Sequence, residues 1–150
     1  MSGGVWSAYS KGLRNYACLH YANEFHNIAR KAGFPIVRAF LLGQAIELYL
    51  KAFLFSCGYG ETALKKKPFA HNLKRLLNEA IANGLDQQIH ISPRVRADIE
   101  VLNAVYASKA LQYFSILYLV ASPKLPELRQ LLRFSASLRV FLGKHIHEPN

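Results

Sequence analysis

Several side chains in this chain have types and spacings suited to handling anions. Lys65, Lys66 and Lys67 form a run of three cations, and Lys74 and Arg75 follow shortly after. Together they make a local patch able to contact phosphates, because cations that neutralise phosphates release condensed counterions. The plainer reading is a solvated loop. Tyr106, Lys109 and Tyr113 set two aromatic faces beside a cation, a composition suited to base stacking next to a phosphate contact. Tyr106 keeps a helical period with Val95, Ile99 and Leu102, so core packing is its expected role. Glu47 precedes Lys51 by four residues, the favourable orientation for an ion pair along a helix. Gln44 shares their face. Inside an apolar helix such a pair fixes register, and loss of one member is costly; the functional alternative is a pair that faces a ligand. His71 stands at a helix start, where hydrogen bonding is its expected work. Other chemistries lack their residues. There is no Gly-rich phosphate loop, no Ser-His-Asp order, no Cys/His grouping with zinc spacing, and too few carboxylates for a magnesium cluster. Neither a metal nor a cofactor is expected.

The elements that must position these groups read as five helices. The first runs from about Val5 to Lys31, with Trp6, Tyr9, Leu13, Tyr16 and His20 on steps of three or four and a second stripe at Ala17, Tyr21, Phe25 and Ile28. A face that broad meets more than one partner. Gly33, as a left-handed cap, and Pro35 end it. The second, Pro35 to Cys57, is apolar almost all round and reads as the central helix, stopped by Gly58. Tyr59 to Ala70 reads as a loop. The third helix starts near His71 and Asn72, carries Leu73, Leu76, Leu77, Ala80 and Ile81, and ends at Asn83-Gly84. The fourth has Ser92 as N-cap and Pro93 at its first position. Leu111 to Val120 fits an extended segment or a continued helix. The last begins near Pro126 and closes at Gly143. No hairpin signal appears, so an all-α, up-and-down bundle of four to five helices is the economical fold.

Composition bounds the rest. A chain of 150 residues and 16.9 kDa predicts one domain, able to bury about two-thirds of its surface. Its 51% hydrophobic and 12% aromatic residues exclude disorder. Two cysteines exclude a disulfide scaffold. Nineteen Lys and Arg against nine Asp and Glu give a net charge of +10 and a pI near 9.8, which favours polyanionic partners. Pro35 to Phe55 is long enough to span a bilayer, but Arg38, Gln44, Glu47 and Lys51 oppose insertion. Ala110 to Ala121 is too short. The first residues lack a signal-peptide pattern. A reducing, cytoplasmic setting without a membrane partner is expected. Cys18 and Cys57 read as small apolar fillers, and a bond between them stays open.

One succession of residues resembles a known family. Helix two reads Ala45-Ile46-Glu47-Leu48-Tyr49-Leu50-Lys51-Ala52-Phe53-Leu54. His71-Asn72-Leu73-Lys74-Arg75-Leu76-Leu77 follows, and Tyr106, Lys109 and Tyr113 come later. This is similar to the HEPN domain, over about residues 5 to 145, with Glu47, Lys51 and His71 as the motif positions. The resemblance implies a helical bundle, usually dimeric, and a role connected with nucleotides or RNA. Some HEPN members are ribonucleases of toxin and antiviral systems. Others partner a nucleotidyltransferase or bind nucleic acid without cleaving it. The ribonucleases use an Arg followed, after four to six residues, by a His, with Arg at the phosphate and His at the 2′-hydroxyl proton. Two pairs fit here, Arg14 with His20 and Arg139 with His145, where about one is expected by chance. On one helix a six-residue step turns two side chains about 120° apart, unless Gly143 lets His145 fold back.

The expectation is therefore a HEPN-like, nucleotide- or RNA-binding module, the non-catalytic accessory of a defence or toxin–antitoxin-type system. A nucleotidyltransferase or an antitoxin is the expected protein partner. A metal-independent ribonuclease using Arg139 and His145 is the alternative. A protein-docking module is the third reading. A two-fold homodimer is expected, with Leu111 to Val120 in its interface.

Overall fold

A helix that is apolar on nearly every side is stable only where other helices surround it. The computed structural model puts Pro35–Ser56 in that position. The structure describes residues 3–106 and 124–150, with side chains from residue 8 onward in those ranges. Lys109, Tyr113 and the Leu111 to Val120 stretch lie outside the described residues. Among the described residues there are seven helices and no strand: α1 (Gly3–Lys31), α2 (Pro35–Ser56), α3 (Glu61–Lys65), α4 (Leu73–Ala82), α5 (Leu85–Gln88), α6 (Pro93–Tyr106) and α7 (Leu128–His145). The protein is an all-α helical bundle.

α2 is its axis. It lies along α1 and touches α4, α6 and α7. Ala39, Leu42, Ala45, Ile46, Tyr49, Leu50, Ala52 and Leu54 have no exposed surface. Each buried Leu or Ile side chain contributes about 1.5–3 kcal/mol relative to exposure. Among the described residues, α2 is the one helix long and apolar enough to cross a membrane, and 61% of that stretch is buried inside the bundle.

The helix ends show how local chemistry sets these boundaries. Asn72 caps α4, its Oδ1 accepting from the Arg75 N–H at 3.1 Å. Asn103 of α6 supplies a second cap, accepting from the Leu73 N–H at 2.7 Å. Ser92 caps α6 through the Val95 N–H at 3.1 Å. These satisfy donors that a helix start leaves orphaned.

Three boundaries differ from the sequence reading. Gly33 is not the left-handed cap of α1, since positive φ among the described glycines occurs at Gly58 and Gly84. Arg38 closes α1 instead, donating from Nε to the Ala29 carbonyl at 3.2 Å and from Nη2 to the Ala32 carbonyl at 2.7 Å. Gly143 does not end α7, which runs on to His145 because Leu142 and Ile146 are both buried and hold its last turn against the core. The expected loop after Tyr59 contains α3, a single turn held by Leu64, which is fully buried, and by a Glu61–Lys65 ion pair at 2.6 Å.

Candidate functional site

Glu47 sits in the middle of α2 with its side chain 3% exposed. A carboxylate in such a place needs partners to stay charged. Lys51, one turn on, donates to Oε1 at 2.7 Å. Tyr106, at the end of α6, donates its hydroxyl proton to Oε2. His71 brings Nδ1 to 3.3 Å from the carboxylate. The three motif residues, Glu47, Lys51 and His71, thus meet at one point. Among the described residues no hydrogen bond joins Gln44 to them.

Tyr106 is the member that the sequence reading left in the core. It is buried, but a buried tyrosine hydroxyl needs an acceptor, and Glu47 is a buried acid on the helix it faces. Its ring stands edge-on to His71, with centroids 6.4 Å apart. Gly43 makes room for it: a Cβ there would lie 2.7 Å from Tyr106 Cδ2. His71 has φ 50°, a left-handed conformation that costs a non-glycine residue about 1–3 kcal/mol.

The electrostatics follow from the same contacts. Burial pushes the Glu47 carboxyl up, but the Lys51 ammonium, hydrogen bonds from Lys51 and Tyr106, and nearby His71 outweigh it, so its pKa falls below the ordinary value. Burial and the Glu47 charge push the Tyr106 hydroxyl up, so it stays a donor. An ionised carboxylate engaged by three side chains is poorly placed to accept a substrate proton. The group works as a strut between α2, α6 and the α4 start.

Arg139 and His145 are not brought together within the chain. Arg139 donates from Nη1 to Asn27 Oδ1 of α1 at 2.7 Å. It belongs to a polar seam in which buried His26 lies 2.8 Å from Ser135 Oγ, and Tyr49 donates to Asn23 Oδ1 at 2.7 Å. His145 is exposed and packs at a tilt against Phe141, centroids 4.6 Å apart. It lines a cavity of about 320 Å³ with Phe53, Cys57 and Asn83. With α7 continuous through Gly143, the two side chains point about 120° apart. Arg14 and His20 diverge in the same way. Arg14 lies 3.8 Å over the Phe55 ring, whereas exposed His20 leans on Tyr16.

The His26 seam, absent from the sequence reading, makes stability depend on pH. Burial, with the positive charges of Arg139 and Arg30, lowers the His26 pKa below the usual histidine value. The folded imidazole is therefore neutral, while the unfolded one titrates near ~6.5. Its contribution is complete above that value and is lost as the pH falls from it toward the lowered folded pKa. The urea midpoint should drop as the pH falls below the unfolded histidine value near ~6.5, and His26→Gln should flatten that drop. An unchanged slope in His26→Gln would assign the dependence elsewhere.

The basic tract that ends α3 and opens the connector to α4 is exposed throughout Lys65, Lys66 and Lys67. Lys65 pairs with Glu61, and Lys74 pairs with Glu100 at 3.0 Å, both on the surface, where such pairs contribute little. Among the described residues, exposed Lys66, Lys67 and Arg75 have no carboxylate within ion-pair distance. Both cysteines are free thiols. Cys18 is a buried filler whose pKa burial pushes up to about 11. Cys57 is exposed, not a filler, because it follows the last turn of α2 at the surface. Among the described residues no group of three or more His, Cys, Asp or Glu is arranged to hold a metal.

Fold and site together define an all-α helical bundle braced by a buried carboxylate and carrying a cationic connector. No protein-family model, curated protein or solved structure matches this chain.

Proposed function

We propose that this protein is a HEPN-like helical module that binds RNA or a nucleotide without cleaving it, as an accessory of a defence or toxin–antitoxin-type system. The observation that carries this reading is the connector. Lys66, Lys67 and Arg75 stand exposed and uncompensated among the described residues, on a chain of net charge +10. Cations in that state are available to displace counterions from phosphates. The geometry around Arg139 supports binding over cleavage, since its guanidinium is tied to Asn27 and away from His145. The two free thiols fit a reducing, cytoplasmic setting. We take the working form to be a two-fold homodimer. Tyr9, Leu13, Tyr21 and Ile28 are large apolar side chains left exposed along α1, a strip that a second copy would cover.

The test is binding of a labelled single-stranded RNA in EDTA across a salt series. Wild-type affinity should fall steeply with salt. Reversing Lys65, Lys66 and Lys67 to Glu should weaken binding at least about tenfold and shallow the log–log slope by about two. Arg139→Ala and His145→Ala should leave both the RNA and its binding unchanged. Sedimentation in the same buffers reads whether the binding species is the dimer. Cleavage by the wild type that vanishes in His145→Ala would replace this reading with a metal-independent ribonuclease. Salt-insensitive or undetectable binding would replace it with a module that docks a nucleotidyltransferase or an antitoxin.

A further inference from the structure

A cavity of about 260 Å³ opens between α1, α2 and α3. Leu48, Phe55 and Leu64 give it an apolar wall, and Arg14, Lys51, Glu61 and Lys65 bring charge to its lining. A second cavity, of about 520 Å³, shares Arg14, Ala17 and Glu61 and continues along α1. The charges are not equivalent. Lys51 is held by Glu47 and Lys65 by Glu61. Arg14 has no carboxylate within ion-pair distance among the described residues.

Arg14 is also held in place. Its guanidinium lies 3.8 Å over the Phe55 ring, and its Nε and Nη2 both reach Asn15 Oδ1 at 3.3 Å. A guanidinium has five N–H donors in a rigid plane. Stacking fixes that plane, the Asn15 contact uses one edge, and the Nη1 end keeps its donors. A half-buried, oriented cation beside an apolar wall suits an anionic head on an apolar body. The volume lies below the ~300–1,000 Å³ of drug-sized sites, so the body is about the size of one ring. Glu61 on the same rim is tied to Lys65, and Lys51 is tied to Glu47, so Arg14 is the one uncompensated charge in the lining among the described residues and matches a single negative charge.

We infer that this pocket binds a small apolar monocarboxylate, its ring-sized body against Leu48, Phe55 and Leu64 and its carboxylate at Arg14. This site meets the connector only at Lys65, which Glu61 holds, and it stands whether or not RNA binds at Lys66, Lys67 and Arg75. Cys18, also in the lining, stays a thiol and donates to the Leu48 carbonyl at 3.2 Å, so it neither repels the anion nor competes for Arg14.

Benzoate is the probe, with benzamide as its uncharged isostere and phenyl phosphate as the doubly charged one. Benzoate titrated into the wild-type protein should shift the Leu48 and Leu64 methyl resonances saturably. Benzamide and phenyl phosphate should each bind at least about tenfold more weakly. Arg14→Gln should cost benzoate at least about tenfold, and Ala17→Phe, which fills the pocket without touching a charge, should abolish the shifts. If Ala17→Phe does not fold, Arg14→Gln decides alone, because its side chain lies at the pocket mouth and not in the core. Absence of saturable shifts at Leu48 and Leu64, equal binding of benzamide, or full affinity in Arg14→Gln would each overturn the site. Tighter binding of phenyl phosphate than of benzoate would overturn the monocarboxylate assignment.

Discussion

Glu47→Ala should lower the unfolding free energy by about 3 kcal/mol, because it breaks a buried ion pair from one side only. The carboxylate holds the Lys51 ammonium and the Tyr106 hydroxyl, and it touches His71. Without it, Tyr106 is left as a buried donor with no acceptor, worth about 1–3 kcal/mol alone. The Lys51 side chain, 17% exposed, recovers part of its loss by extending its head toward water. Denaturant titration measures the total. Removing the donors as well, in Lys51→Met with Tyr106→Phe, should shrink the cost of losing Glu47, since the penalty belongs to the group. A change within about 0.5 kcal/mol for Glu47→Ala would mean that the pair is effectively solvated. The pH dependence has the same sign as that of His26 but a lower window: the Glu47 pKa is lowered on folding, so its stabilisation is present above the unfolded value near ~4.3 and is lost as the pH falls through the folded one.

Gly43→Ala should destabilise the protein by about 1–3 kcal/mol, although alanine is the better helix former by about 1 kcal/mol. The added Cβ would meet Tyr106 Cδ2 at 2.7 Å and Cε2 at 2.9 Å. Those atoms belong to a ring anchored by its hydroxyl on Glu47 and buried in the core, so it has little freedom to yield. The same denaturant titration reads the effect. In a Tyr106→Ala background, where the ring is gone, Gly43→Ala should become neutral or stabilising. Stabilisation in the wild-type background would show that α6 slides away freely, and the tight approach of α2 to α6 would then carry no energetic weight.

Much of this framework was legible in the chain. The all-round apolar run from Pro35, the Asn72 and Ser92 caps and the four-residue step from Glu47 to Lys51 are local signals, and local signals survive folding. What the sequence hid depends on partners distant in the chain. Tyr106 and Glu47 are 59 residues apart, and His26 and Ser135 are 109 apart; no window along the sequence contains either pair. The Tyr106 bond had a usable signal, because a buried phenol and a buried acid must each find a partner. The His26 bond had none, since a histidine on an apolar helix face points to no particular serine. The Arg139–His145 spacing was legible as a pattern, but its geometry hinged on whether Gly143 would break α7, and burial of Leu142 and Ile146 decided that from outside the motif.

The Arg38 side chain that closes the end of α1 reaches back only six and nine residues. Contacts so near in sequence ask little loop-closure entropy of the unfolded chain, and topologies rich in them fold fast. The corner between α1 and α2 is therefore able to form before α6 and α7 have been recruited. Helices α1 and α2 carry Arg14, Glu47, Lys51 and Phe55. Their mutual alignment is held by a turn that includes its own clasp, so it does not depend on contacts with the later helices.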